Sequence, residues 1–295
     1  MPDPSNPLPL PPMSAATLLR ALFKRPGAAP AGPASATTVH RLERLDPGHV
    51  ARYRAALGFT GTHVPLTYCY LLAQRAHLAT MLGRSFPFRL AGAIHVDNAL
   101  NGGIQPDAGR PLELVTGVRI APPGHGHSAG AVHAVLETRA TQKGVLVFAC
   151  ASTYLVARGE RGGPRAAPPP APALTALASW QLDAASGRAY AALSGDWNPI
   201  HLWPWSARMM GLTTPIIHGM HTLGRACAEL ERAGGRPLRH LDGRFRAPIG
   251  LGSRATLAAE LAGGRYTVEA NGRITVSGGF SFDLGQTTRG AYRPS

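Results

Sequence analysis

Two stretches of the chain carry the hydrophobic pattern of long helices. In the later one Ile216, Met220, Leu223, Cys227 and Leu230 recur at spacings of 4, 3, 4 and 3, the stripe of an amphipathic helix. The earlier one, residues 66–82, is apolar on most faces, as expected of a helix wrapped by a sheet. Pro65 and Pro215 read as first-turn residues, and Gly83 and Gly234-Gly235 read as stops. Sliding the chain by 150 residues lays Pro65 on Pro215, Arg75 on Arg225, Ala76 on Ala226, Pro87 on Pro237 and Arg89 on Arg239. The two halves therefore read as related.

After each helix come short runs that favour strands. They are residues 93–96, 113–120, 131–138 and 145–156 in the first half, and 243–247, 255–261, 266–270 and 274–282 in the second. Gln142-Lys143-Gly144 and Asn271-Gly272 fall between consecutive runs, a signal of antiparallel hairpins. One long helix plus an antiparallel sheet, twice over, predicts an α+β fold. The chain divides into a proline-rich arm (1–34), a first domain (35–158), a Pro/Gly linker (159–175) and a second domain (176–295). Within the arm, residues 13–24 can form a short amphipathic helix through Leu18, Leu19, Leu22 and Phe23.

Composition narrows the setting. No run approaches a membrane span of about 18 apolar residues, and the start MPDPSNPLPLPPM lacks the basic and apolar regions of a secretory signal. Cys69, Cys150 and Cys227 offer neither a disulfide framework nor a zinc spacing, so a reducing cytoplasm is expected. The net charge is +14, and of 30 basic residues only Lys24 and Lys143 are lysines. With abundant Ala, Gly and Pro, that fits the codon bias of a GC-rich bacterial genome. The arginines are scattered without a nucleic-acid motif, so neither a nucleic-acid nor a membrane partner is expected.

The chemistry concentrates in residues 194–201, SGDWNPIH, followed by His218-Gly219-Met220. Asn198-Pro199 breaks any helix, so Asp196 and His201 lie on a turn that can converge both groups on one water. Asn198 offers an amide to hold that water. Gly219 falls in the first turn of the later helix, where backbone N–H groups are unpaired and the helix end is electropositive. A glycine there lets a substrate approach the backbone closely. An Asp-x-Asn-Pro segment alone reads as an Asx-turn, and a lone His-Gly pair as a cap. Together, in register with a helix start, they read as a site. His218 reads as a supporting residue, and His218, His221 and Asp196 are a weak metal-ligand set. His125 and His127 read as exposed loop residues, and Cys69 as a packed thiol.

These residues resemble the MaoC-like, (R)-specific enoyl-thioester hydratase family. Its pattern is a serine or threonine, G-D-x-N-P-[IL]-H, and a helix opening with H-G-M, all present within residues 190–232. The resemblance implies two tandem hotdog domains, each a long central helix wrapped by an antiparallel β-sheet. It extends to the first half through VPLTYCY and FPFRLAGAIHVDN, which sit where double-hotdog dehydratases carry similar runs. It implies Asp196, Asn198, His201 and Gly219 as catalytic, with Ser194, Gly195, His218 and Met220 at the substrate and no metal or other cofactor.

The expected function is a lyase of fatty acid metabolism. It reversibly hydrates trans-2-enoyl thioesters of CoA or acyl carrier protein to (R)-3-hydroxyacyl thioesters. Sequence leaves open which of Asp196 and His201 is base and which is acid. It also leaves open whether the chain is a monomeric double hotdog or a homodimer. The first half lacks both clusters and is expected to shape the acyl pocket. Arg232, Arg236, Arg239, Arg244 and Arg246 are candidates for coenzyme A phosphates, with ordinary solvated surface as the competing reading. Rival functions are a hotdog thioesterase and a silent acyl- or RNA-binding module.

Overall fold

The computed structural model describes residues 7–27, 35–121, 130–159 and 174–283. His125, His127 and most of the expected linker lie outside these residues. In chain order come β1 (Leu8–Pro9), α1 (Ala15–Leu22), β2 (Ser35–Leu42), α2 (Pro47–Leu57), α3 (Leu66–Leu82), β3 (Ile94–Gly102), β4 (Leu112–Ala121), β5 (Val132–Gln142) and β6 (Val145–Ala157). Then follow β7 (Thr175–Gln181), α4 (Ser186–Ser194), a 3₁₀ turn (Pro199–His201), α5 (Pro204–Met209), α6 (Gly219–Gly234), β8 (Leu238–Phe245), β9 (Arg254–Glu260), β10 (Arg265–Ala270) and β11 (Arg273–Phe282).

All the strands join one sheet in the order β1-β2-β4-β5-β6-β3-β8-β11-β10-β9-β7. The strands of the first half thus occupy one side and those of the second half the other. The seam is the antiparallel pair β3–β8, where Leu100 lies opposite Leu241 and Asp97 opposite Arg244. Arg244 Nε bonds Asp97 Oδ1 across it at 3.0 Å. The expected hairpin turns are present: Lys143-Gly144 and Asn271-Gly272 all take positive φ, the pair of left-handed residues that a two-residue β-turn requires.

The long helices α3 and α6 pack on the sheet and on each other, so one core runs through both halves. It includes Leu71, Leu100 and Leu114 from the first and Leu223, Leu241 and Leu257 from the second. As the pattern predicted, α3 is enclosed, with every residue from Leu66 to Ala73 buried.

The 150-residue slide is not the structural register. α3 begins at Leu66, directly after Pro65, but α6 begins at Gly219 rather than near Pro215, an offset of 153. Residues 215–218 are held extended instead. Ile216 N–H bonds Ile200 O at 3.1 Å, Ile217 N–H bonds Ile249 O at 2.9 Å, and Leu251 N–H bonds Pro215 O at 2.8 Å. Ile216 therefore leaves the helical stripe. The sequence reading also passed over β2, β7, α2, α4 and α5.

Leu100 and Leu241 are fully buried and face each other at the seam. Replacing either with alanine is expected to cost about 2–5 kcal/mol. The double variant should cost less than the sum because the two share one cavity. Urea unfolding followed by circular dichroism would measure this, and separate transitions for the two halves would contradict a common core.

Candidate active site

The turn that carries the motif is built by its own side chains. Helix α4 ends at Gly195, whose φ of 74° is left-handed, a conformation glycine adopts without strain. Ser194 Oγ accepts the Asp196 N–H at 3.2 Å, and Asp196 Oδ1 accepts the Asn198 N–H at 3.2 Å. Asn198 Oδ1 accepts the Ile200 N–H at 3.4 Å and caps the 3₁₀ turn that presents His201. The Asx-turn reading and the site reading thus describe the same carboxylate.

Two further elements lock this turn. His218, the residue before α6, donates from Nε2 to Asp196 O at 2.9 Å. From the first half, His49 on α2 donates from Nε2 to Leu193 O at 2.9 Å, and its Nδ1 lies 3.1 Å from the Tyr68 hydroxyl.

A carboxylate oxygen of Asp196 and one ring nitrogen each of His201 and His218 lie within 4.8 Å of one another. His201 Nδ1 donates to Ile216 O at 2.8 Å, so in the neutral ring Nε2 carries the free lone pair. The extended Pro215–His218 segment exists to supply that carbonyl. The two imidazoles stack at 3.7 Å between centroids and 26° between planes. Burial lowers the His201 pKa below its usual 6.5, opposed by Asp196 and the Ile216 carbonyl. Burial also lowers His218, helped by the neighbouring His201. Both rings are therefore neutral at pH 7.

This trio is the ligand set most suggestive of a metal, but the stack argues against one. A metal ion sits in the plane of each coordinating imidazole, about 2.0–2.1 Å from its nitrogen. Rings stacked 3.7 Å apart and tilted by only 26° do not converge on such a point.

The other expected residues take varied places. Gly219 opens α6 beside His218, and a Cβ there would meet the Phe245 ring at 2.8 Å. The close approach that requires glycine is therefore made by Phe245. Asn198 is exposed, with its side-chain oxygen turned to its own backbone. Ser194 is buried as a turn cap, and Met220 packs into the core.

The candidate phosphate arginines have local partners. Arg232 pairs with Glu229 and the Gly58 carbonyl. Arg236 lies over Phe282, and Arg239 bonds Gly103 O. Arg244 bonds Asp97 and Arg246 bonds Ser277. Cys69 is buried, which pushes its thiol up to about 12 and leaves it unreactive at neutral pH.

The first half, expected to shape the acyl pocket, contributes residues that the sequence left unnamed. His95 on β3 stacks on Tyr154 at 4.7 Å and on Tyr70 at 5.7 Å, and meets Phe245 at 5.1 Å. The Tyr70 and Tyr154 hydroxyls lie 3.5 Å apart. Burial lowers His95 to about 4, against opposing effects of the Asp97 backbone and the Asp196 carboxylate. Burial raises Tyr70 and Tyr154, and that carboxylate adds to the rise, so this wall lies within its field. FPFRLAGAIHVDN held the signal, with His95 as its only imidazole.

Comparison with known proteins agrees with this architecture. A family description, "MaoC like domain", matches residues 166–277. The 3-hydroxyacyl-thioester dehydratase X of Mycobacterium tuberculosis is 31% identical over 246 residues, covering 81% of this chain and 82% of that protein. The chain belongs to the MaoC-like dehydratase family. The crystal structure of HtdX from the same organism superposes with a TM-score of 0.64 at 29% identity, over 82% of this chain and 99% of that one. A second M. tuberculosis protein, described as a double hotdog fold, matches with a TM-score of 0.54 at 16% identity over 85% and 96% of the two chains. This MaoC-like chain is accordingly a double hotdog: two long helices on one continuous sheet, antiparallel apart from the short edge strand β1.

Its buried imidazoles set a pH dependence of stability. His77 and His221 are held at about 3 and His95 at about 4 by burial, against an ordinary 6.5. Below about pH 6.5 the unfolded chain binds protons that the native rings refuse. Stability is thus full above pH 6.5 and falls as the pH drops through 4 toward 3. Denaturant midpoints at pH 7 and pH 5 test this, and a flat profile would mean that these rings are not buried and neutral.

Proposed function

We propose that the protein reversibly hydrates trans-2-enoyl thioesters to (R)-3-hydroxyacyl thioesters at Asp196, His201 and Gly219. The observation that carries this reading is the neutral His201 ring beside Asp196: Nδ1 is committed to Ile216 O, which leaves Nε2 its lone pair, and a ring nitrogen lies within 4.8 Å of an Asp196 carboxylate oxygen. In the hydration direction one water lies between His201 Nε2 and the Asp196 carboxylate. Its oxygen bonds the β-carbon as His201 takes its proton, and that proton is then delivered to the α-carbon. Dehydration runs the same steps backwards. The charge that gathers on the thioester oxygen is met by the Gly219 N–H at the electropositive start of α6.

His218 orients Asp196 through its backbone carbonyl and packs against His201. Tyr70, His95, Tyr154 and Phe245 form the wall against the acyl group, which gives the first half its part in the reaction. The substrate is carried on CoA or on acyl carrier protein.

The reading is tested with trans-2-enoyl-CoA, following loss of conjugated absorbance together with free thiol. Absorbance loss without thiol is expected, whereas thiol release would indicate a thioesterase. Asp196→Asn and His201→Ala should each lower turnover by about 10² or more, and near-wild-type rates in either would overturn the site.

Two further outcomes follow. Because burial lowers the His201 pKa, the acidic limb of kcat/KM should lie below pH 6.5, with activity lost as the pH falls through it. A Cβ on Gly187 would sit 2.0 Å from the His201 carbonyl oxygen. Gly187→Ala should therefore lower kcat more than it raises KM, at a stability cost of about 1–3 kcal/mol.

A further inference from the structure

The surface beside this site carries protruding apolar side chains that remain exposed among the described residues. Helix α1 exposes Leu19, Leu22 and Phe23, the last at 73%. Their i, i+3, i+4 spacing puts them on one helical face. Around α5, Trp205 is 62% exposed, Met209 78% and Met210 48%, and Trp205 stacks on the half-exposed Trp203.

Both groups adjoin the turn that carries the motif, with α5 following directly on its 3₁₀ turn. Met13, two residues before α1, packs against Gly195, where its Cβ lies 2.3 Å from the position a Gly195 Cβ would take. Asp196 and the exposed Trp197 follow directly. Farther along, Arg75 holds the arm by bonds to Pro11 O at 2.8 Å and Leu10 O at 2.9 Å. Lys24 and Gly27 bond the backbone of residues 86–88, which joins that segment to the same surface.

Apart from the motif's own Asp196 and Asp97, which pairs with Arg244, the charged residues of these segments have one sign. Residues 7–27, 83–96 and 197–217 contain no Asp or Glu, while Arg20, Arg25, Arg84, Arg89 and Arg208 are all exposed. Among the described residues none of these arginines forms an ion pair. Apolar side chains that protrude, rimmed by unpaired cations, fit an anionic lipid interface. There Trp sits at headgroup level, and an amphipathic helix buries its apolar face along the surface.

We propose that this face docks the protein peripherally on an anionic lipid bilayer, with the candidate active site opening toward the membrane. This revises the expectation of no membrane partner, although among the described residues no helix is long and apolar enough to cross a membrane. Delivery of membrane-partitioned acyl thioesters to the site rests on the hydratase reading, but the docking itself does not.

The full chain is to be sedimented, without substrate, with phosphatidylcholine vesicles and with vesicles holding about 30% phosphatidylglycerol. Binding to the anionic vesicles alone is expected. It should come with a blue shift of tryptophan emission and be reversed at about 0.5 M salt. Leu19→Ser/Phe23→Ser and Trp205→Ser/Met209→Ser should each weaken partitioning by about tenfold or more, with turnover of a short soluble enoyl-CoA unchanged. The proposal is overturned if anionic vesicles are not bound, or if both double variants bind like the parent. It is also overturned if the patch mediates self-association or capture of an acidic carrier protein in place of vesicle binding. A chain that binds vesicles but hydrates nothing would refute the function and leave the docking standing.

Discussion

The antiparallel pairing of β3 with β8 is the interaction on which the rest depends. It fuses the strands of both halves into one sheet and fixes how the two long helices share a core. Its register places His95 of the first half within 5.1 Å of Phe245 of the second, and Phe245 fills the space where a Gly219 side chain would stand. A slip of one residue would turn every side chain of one half to the opposite face. The core and the site wall would be lost together.

Burial is the second constraint, and it acts through protonation. Imidazoles removed from water lose the stabilisation of their charged form, so His201, His218 and His95 are all neutral at pH 7. Neutrality lets His201 and His218 stack at 3.7 Å without charge repulsion. It also gives each ring one donor and one lone pair, and the backbone chooses between them. Because Ile216 and Asp196 offer carbonyls, His201 Nδ1 and His218 Nε2 must carry the protons. The chemistry left at His201 Nε2 is thus set by two peptide groups that no motif names.

The sequence made legible whatever depends on local pattern. The apolar enclosure of α3, the hairpins at Lys143-Gly144 and Asn271-Gly272, and the convergence of Asp196 with His201 all follow from spacing and turn chemistry. What depends on distant partners was hidden. Pro215 looked like a helix start, but the Ile249–Leu251 segment holds its neighbours extended, and only contact across the fold decides that. Asn198 looked like a ligand for water, but its oxygen is nearer to the Ile200 N–H. His95 sat inside a quoted motif, yet its value comes from Tyr154, Tyr70 and Phe245, which lie far from it in sequence or on the other half.

The near-symmetry of the halves sharpens why the chemistry belongs to one end. The helix start that corresponds to Gly219 is Leu66, which carries a side chain packed in the core. The cavity beside it, lined by His63, Leu66, Cys69, Gly102 and Arg239 among others, holds about 100 Å³, room for about three waters and too little for an acyl group. Beside it, Glu231, which pairs with His63, already accepts the Leu238 N–H at 3.0 Å. The thiol there is held at about 12. With a buried thiol and little space, that corner supports the fold. The same elements that would have built a second site instead place Tyr70 and His95 against the first.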